Sequence, residues 1–124
     1  MKNRSLLFSI LILSLLFITL ACEKTNVVLI RIENSTGHDI TAVFVSGPED
    51  THEYGNVNKG GKSDYQVYQS AYRYAFCTFK IGDSEFTIQP IDFVGESLLK
   101  NGEYTYRLTI SDLDTPWAGM ELVE

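Results

Sequence analysis

Short motifs of catalytic type occur in this sequence only in incomplete form. Gly60-Gly61-Lys62-Ser63 ends like a phosphate-binding loop, but Asn56 stands where the first glycine of that motif belongs. His52-Glu53 begins like a zinc-protease helix, and Asn56 again stands where the second histidine is needed. The glycine segment therefore predicts a hairpin turn, and His52 and His38 are predicted to be surface residues.

The cysteine and the acidic pairs also lack the context that catalysis or metal binding needs. Cys77 lies in the middle of an apolar run with no base near it in sequence, which favours a buried thiol that acts as a small hydrophobe. Glu49-Asp50 and Asp112-Leu113-Asp114 offer oxygen ligands, but neither has the spacing of a calcium loop. Asp92 and Glu96 could act together as an acid and base pair, but the sequence does not define the distance between their carboxyl groups. We predict no enzyme, no metal and no cofactor.

Charge excludes two classes of partner. The chain has 124 residues, enough for one domain, with a net charge of −6, and all 16 acidic residues lie beyond position 21. Without Lys2 and Arg4, 8 basic residues face those 16 acidic ones, which gives a net charge of −8. This balance argues against nucleic acid, which is bound through basic side chains, and against electrostatic adsorption to anionic lipid.

The region after residue 26 alternates between short β-rich runs and turn clusters, without a helical stripe. The strongest run covers positions 72–81, and its wholly apolar face is assigned to the core: Ala75, Cys77, Phe79 and Ile81. Further strands are predicted at positions 27–33, 40–45, 53–57, 63–68, 85–89, 104–111 and 120–123, with an irregular segment at 90–97. This pattern predicts an all-β protein, a single antiparallel β-sandwich of about 7–8 strands over residues 27–124.

One turn resembles a known corner. Leu99-Lys100-Asn101-Gly102-Glu103-Tyr104 resembles the Leu-x-Pro-Gly-x-Tyr corner of immunoglobulin-like and fibronectin-like sandwiches, with Asn101 in place of proline. The resemblance implies a Greek-key sandwich in which the Tyr104 hydroxyl bonds to nearby backbone.

The first 21 residues form a segment of their own. Lys2 and Arg4 precede an uncharged apolar run from Leu6 to Ala21, which as a helix is roughly 24 Å long and shorter than the ~30 Å hydrocarbon core of a bilayer. A cleaved signal peptide is favoured over a membrane span. An ordinary secretory signal with a free Cys22 thiol and an uncut N-terminal anchor remain as alternatives.

The end of that run, Ile18-Thr19-Leu20-Ala21-Cys22, resembles the lipobox of bacterial lipoproteins, with Thr19 where leucine is usual. The resemblance implies cleavage after Ala21, a diacylglycerol on Cys22, and residues 22–26 as a lipidated N-terminus and tether. Cys77 would then have no intrachain disulfide partner. The later features are similar to those of small uncharacterised Gram-negative lipoproteins, which favours the outer membrane over the inner one: Gly60 to Tyr65, Ala71 to Ala75 and Gly102 to Tyr106.

Aromatic side chains recur at alternate positions of two predicted strands: Tyr72, Tyr74 and Phe76 on one, Tyr104 and Tyr106 on the other. If those strands are neighbours, the rings form a platform of the kind that stacks on sugars or on a protein. The alternative is that the rings cap the second side of the sandwich core, and the two cases differ in the exposure of the rings.

Three functions follow as hypotheses. The leading one is a lipid-anchored, non-catalytic cell-envelope module that binds a protein partner through an acidic surface or serves a structural role. The first alternative is a carbohydrate-binding accessory lipoprotein that uses the aromatic face. The second is an inhibitor of a basic envelope enzyme, suggested by the charge and the anchor.

Overall fold

The computed structural model describes residues 27–124, so the predicted signal peptide, Ala21, Cys22 and the tether lie outside the described residues. Eight strands follow one another along the chain: β1 (Val28–Asn34), β2 (Ile40–Ser46), β3 (Thr51–Val57), β4 (Gln66–Tyr68), β5 (Phe76–Ile81), β6 (Ser84–Ile88), β7 (Gly102–Ile110) and β8 (Ala118–Val123). Within this range no helix is long and apolar enough to span a bilayer. The prediction of an all-β domain is confirmed.

The strands form two four-stranded sheets, ordered β4-β1-β7-β8 and β3-β2-β5-β6. Each connection reverses the chain, so odd-numbered strands share one direction and even-numbered strands the other. β1 lies beside β7 and is parallel to it, from Val28 opposite Gly102 to Asn34 opposite Leu108. The other strand pairings between residues 28 and 123 are antiparallel. The prediction of a purely antiparallel sandwich is therefore wrong at β1 and β7.

The two sheets share one apolar core, as in a sandwich. The alternation in β5 is confirmed, because Cys77 and Phe79 are fully buried and Phe79 stacks on Phe86 of β6 with 5.6 Å between ring centroids. The other sheet contributes Ile30, Ile32, Tyr106 and Leu108 to the same cluster.

The alternating chain direction divides the connections between two ends of the domain. The near end is where residue 27 enters, and it carries the connections 47–50, 69–75 and 89–101. The far end carries the connections 35–39, 58–65, 82–83 and 111–117. Val27 marks the near end because its carbonyl accepts a hydrogen bond from the Gly102 amide, with an N···O distance of 3.2 Å.

A fully buried asparagine holds the far end together. The Asn34 Nδ2 group donates to the carbonyls of His38 and Val57 at 2.6 and 2.9 Å. Its Oδ1 atom accepts from the backbone amide and the hydroxyl of Thr36 at 3.1 and 2.7 Å. Because every polar atom of the side chain is used, the burial of this amide is compensated.

Several strand ends differ from the sequence prediction, most of all the start of β5, and one predicted turn connects different elements. β5 begins at Phe76 rather than Tyr72, because residues 69–75 cross from one sheet to the other. Gly60-Gly61 forms a turn, as predicted, but not a hairpin, since β3 and β4 lie in different sheets. The turn is drawn to β1 instead, where the Gly60 amide donates to the Asn34 carbonyl at 3.0 Å.

Candidate functional site

The five aromatic residues predicted to form a ligand face do not lie on neighbouring strands. Tyr104 and Tyr106 belong to β7 in one sheet, whereas Phe76 begins β5 in the other. Tyr106 is fully buried, and its hydroxyl donates to the Tyr72 carbonyl at 2.6 Å. Burial raises the pKa of this phenol, which keeps it a neutral donor. Tyr106 is therefore a core residue and takes no part in a surface.

Tyr104 forms the hydrogen bond that the corner resemblance implied. Its hydroxyl donates to the Lys100 carbonyl at 2.7 Å, and its ring packs partly buried against the core. The bond closes the turn that leads into β7, so Tyr104 has a local structural role.

The remaining three aromatics form a small pocket at the near end. Tyr72, Tyr74 and Phe76 line it together with Pro48, and its volume is about 250 Å³. Phe93, from the connection between β6 and β7, stacks on Tyr72 and Tyr74 with centroid distances of 4.7 and 5.3 Å. A side chain of the protein itself thus occupies the stacking position over both tyrosines.

The connection that carries Phe93 is braced by polar contacts. The Tyr74 hydroxyl donates to the Asp92 carbonyl at 3.3 Å, and the Asp92 carboxylate accepts from the Val94 amide at 2.9 Å. Partial desolvation raises the pKa of Tyr74, and the nearby carboxylates of Glu96 and Asp92 raise it further. Two large apolar side chains of this connection are nearly fully exposed, Ile91 at 99% and Val94 at 89%.

The prediction of surface histidines is correct for His38 and wrong for His52. His52 is buried in β3, where its ring stacks on Tyr68 with 3.6 Å between centroids. Its Nδ1 atom lies 3.0 Å from the Gln66 amide oxygen. Its Nε2 atom lies 3.2 Å from the Asp50 carboxylate, without hydrogen-bond alignment to any residue between 27 and 124. The alternation of His52 and Tyr54 in β3 was the signal that both face inward.

This cluster continues into a pair of tyrosine hydroxyls. The Tyr54 hydroxyl lies 2.8 Å from that of Tyr68 and donates to the Ile30 carbonyl, also at 2.8 Å. Burial raises the pKa of both phenols, so they remain neutral. These hydrogen bonds join β3 of one sheet to β1 and β4 of the other, so the two tyrosines stabilise the fold.

Cys77 is fully buried in β5, as predicted for a small hydrophobic residue. Burial raises the pKa of the Cys77 thiol to about 12, so it is protonated at neutral pH. Among residues 27–124, no group of three or more histidine, cysteine, aspartate or glutamate side chains is placed to hold a metal ion.

A second exposed surface was missed by the sequence analysis. Trp117 is 61% exposed and Leu113 is 51% exposed, both on the connection between β7 and β8. The backbone beside Trp117 is fixed to β6, since the Thr87 amide donates to the Pro116 carbonyl at 2.8 Å. The signal was available: the single tryptophan lies in a turn-rich segment, outside any alternating strand pattern. Leu113 and Trp117 are called the Trp117 surface below.

The turn beneath this surface is rigid and acidic. The Asp112 carboxylate accepts from the Asp114 amide at 2.9 Å, and from the Thr115 amide and hydroxyl at 2.8 and 2.6 Å. The hydrogen bonds from Thr115 and Asp114 lower the pKa of Asp112, so the group stays charged. Glu85 is exposed two positions along β6 from Thr87, which adds to the negative charge.

Comparison with known proteins gives information on the fold and none on the site. Neither a family model nor a curated protein matches the chain. Among solved structures, the chain is similar to the NMR structure of a protein from Eubacterium rectale, with a TM-score of 0.59 and 13% identity over 81% of this chain and 93% of the other. At that identity the likeness concerns architecture alone, and the chain shares its fold with this bacterial protein.

Proposed function

We propose that this chain is a lipid-anchored, non-catalytic module of a bacterial cell envelope, and that it binds a protein partner through the Trp117 surface. The anchor rests on the lipobox resemblance at Cys22 and on the position of Val27 at one end of the domain. The outer membrane is favoured over the inner one by the resemblance to small Gram-negative lipoproteins.

The exposure of Trp117 on a fixed backbone is the observation that carries the binding role. Tryptophan is usually well buried in a folded domain, and it is enriched among the residues that dominate protein interfaces. Here the hydrogen bond from Thr87 to Pro116 and the Asp112 turn hold Trp117 and Leu113 in place before any partner arrives. A preformed apolar contact loses little conformational freedom on binding, which favours affinity.

Charge indicates the kind of partner. Asp112 and Asp114 flank Leu113 along the chain, and Glu85 is exposed on β6, the strand that pairs with Trp117 at Thr87, so a partner with basic side chains around an apolar patch is complementary. A basic envelope enzyme inhibited by this chain is one such partner, and a structural envelope protein is another.

Site-specific photo-crosslinking in cells tests the binding role. A photoreactive phenylalanine at position 117 should give one discrete crosslinked product, which decreases strongly when Leu113→Glu is added. The matched control is position 67, because Val67 is 60% exposed on β4. Equal products from both positions, or none from position 117, would contradict the proposal.

The anchor is tested separately by metabolic labelling with an alkyne fatty acid. We expect the mature chain to take up label and the Cys22→Ala chain to lose it. Undiminished labelling of Cys22→Ala would refute the anchor.

Carbohydrate binding is a second candidate, favoured by the pocket that Tyr72, Tyr74 and Phe76 line with Pro48. Phe93 lies over both tyrosines, so a sugar ring can stack there only if this side chain moves. Glycan-array binding by the Phe93→Ala chain that disappears on adding Tyr74→Ala would support this candidate. Absence of any bound glycan for Phe93→Ala would remove it.

We also propose that the domain is an immunoglobulin-like or fibronectin-like Greek key. The Tyr104 hydrogen bond to Lys100 and the two four-stranded sheets support this assignment.

A further inference from the structure

We propose that the near-end connection lies on the bilayer that holds the anchor, with Ile91 and Val94 inserted among the lipid headgroups and upper acyl chains. This inference rests on the proposed lipid anchor at Cys22. It assigns a second membrane contact to the folded domain itself.

The apolar side chains of this connection are exposed as a group. Ile91 and Val94 are almost entirely exposed, and Leu98, four residues further, is more than half exposed. Single apolar residues on a surface are ordinary, but three within eight positions of one projecting connection indicate a contact surface.

Internal contacts hold these side chains outward. Phe93, between them, is turned inward and stacks on Tyr72 and Tyr74. The Asp92 carboxylate accepts from the Val94 amide at 2.9 Å, and the Glu96 amide donates to the Phe93 carbonyl at 3.0 Å. The inward phenylalanine and the two turns therefore project Ile91 and Val94 away from the domain without help from a partner.

The chain path brings this connection to the anchor. Val27 is hydrogen-bonded to Gly102, the first residue of β7 and the residue at which the connection 89–101 ends. The Leu99 amide donates to the Ala71 carbonyl at 2.8 Å, which fixes the end of the connection to the same side of the domain. From Cys22 to Val27 an extended chain spans at most about 18 Å. A lipid on Cys22 thus keeps the near end, rather than the far end, against the membrane.

Charge determines which lipids suit the contact. Asp92 uses its carboxylate within the turn, while Glu96 and Glu103 line the surface beside Leu98 together with Arg73 and Lys100. A rim of mixed charge supplies no net attraction to anionic headgroups, so the contact is apolar and suits a neutral bilayer surface.

Depth-dependent fluorescence quenching tests the proposal on the mature lipidated chain. A polarity-sensitive fluorophore is attached at Val94→Cys, or at Leu113→Cys at the far end as the control. The native thiols do not interfere, because Cys22 is acylated and Cys77 is fully buried. In phosphatidylcholine vesicles with spin-labelled acyl chains, we expect quenching at position 94 to exceed that at position 113 by at least about threefold. A chain with Ile91→Gln and Val94→Gln, labelled at Leu98→Cys, should be quenched several-fold less than the same probe on an otherwise unchanged chain.

The outcomes separate this inference from the anchor. If the chain floats with the vesicles but positions 94 and 113 are quenched equally, the loop contact is wrong and the anchor stands; a loop that binds protein instead would give this result. Retained quenching in the double glutamine variant would also overturn the contact. If Cys22→Ser floats as well as the parent chain, or the parent does not float, the anchor is wrong and the inference falls with it.

Discussion

The two ends of this domain are held by different kinds of interaction. At the far end, the buried Asn34 amide joins the connection 35–39 to the end of β3 through four hydrogen bonds, and the exposed apolar side chains Leu113 and Trp117 lie on one hydrogen-bonded acidic turn. At the near end, aromatic stacking and the Tyr106 hydroxyl act beside carboxylate hydrogen bonds between the connections 47–50 and 69–75, and aliphatic side chains project into solvent.

The difference between the two ends indicates which contacts fix the fold and which can yield to a partner. A fully satisfied buried amide has only one low-energy arrangement, so the far end is specified by hydrogen-bond geometry. Ring stacking is less directional than hydrogen bonding. A loop that is held by stacked rings can therefore detach when another apolar surface competes for the same contacts. The near end is thus the end suited to a deformable partner such as a bilayer, while the far end presents a fixed surface.

Removing the far-end amide should have the largest effect. Asn34→Ala deletes four hydrogen bonds, among them those that the side-chain amide donates to the His38 and Val57 carbonyls. We expect a loss of about 3 kcal/mol or more in the free energy of unfolding, measured by urea denaturation. The control Thr36→Val removes only the hydroxyl contacts and should lose about 1 kcal/mol. Equal losses would show that the network does not act through Asn34.

The two tyrosines of β7 allow a matched test at the near end. Tyr106→Phe removes a partly buried hydrogen bond from a fully buried side chain to the Tyr72 carbonyl, and should lose about 2 kcal/mol. Tyr104→Phe removes the corner bond to Lys100, which is partly solvated, and should lose about 1 kcal/mol. An unchanged denaturation midpoint for Tyr104→Phe would refute the role of the corner, and the reverse order would contradict the burial argument.

Truncating the stacked phenylalanine should loosen only the near end. Phe93→Ala removes contacts to Tyr72 and Tyr74, and we expect a loss of about 1 kcal/mol in the free energy of unfolding together with faster amide exchange over residues 91–97. Ile91→Ala is the control, because that side chain is almost fully exposed and should change neither measurement. If Phe93→Ala leaves exchange unchanged, the polar braces at Asp92 are sufficient and stacking does not hold the loop.

Local pattern was enough to predict most of the strands. Alternation in β1, β5 and β7 and the turn glycines identified eight strands within a few residues, because side-chain direction has a period of two in any sheet. The pairing of the strands could not be predicted from local pattern. β1 lies beside β7, and the paired residues Arg31 and Thr105 are 74 positions apart, so this pairing depends on contacts between distant segments. For the same reason, the sequence could not show whether Phe76 and Tyr104 lie on neighbouring strands, as the predicted aromatic platform required.

Exposure was harder to predict than secondary structure. Tyr74 and Tyr106 occupy similar alternating positions in the sequence, yet one lines a pocket and the other is buried, because Tyr74 lies in the connection before β5 and Tyr106 lies within β7. His52 was expected on the surface because it was assigned to a turn region, but β3 begins at Thr51 and the ring is buried against Tyr68 and Gln66. Trp117 was passed over because it belongs to no strand, and an exposed tryptophan is recognised only when its surroundings are seen.

The smallest effect should come from a strained position near the far end. Ala42 has φ of 50°, between Ile40 and Val43 where the register of β2 against β3 shifts. A left-handed conformation costs an alanine about 1–2 kcal/mol, whereas glycine adopts it freely but loses about 0.5–1 kcal/mol more entropy on folding. Ala42→Gly should therefore raise the free energy of unfolding by about 0.5 kcal/mol, as a small increase in the urea midpoint. Ala118→Gly, which removes a methyl group from β8 where no such strain exists, should lower it by a similar amount. If both substitutions destabilise equally, the bulge in β2 carries no strain, and the far end is specified by Asn34 and its hydrogen bonds without any opposing backbone cost.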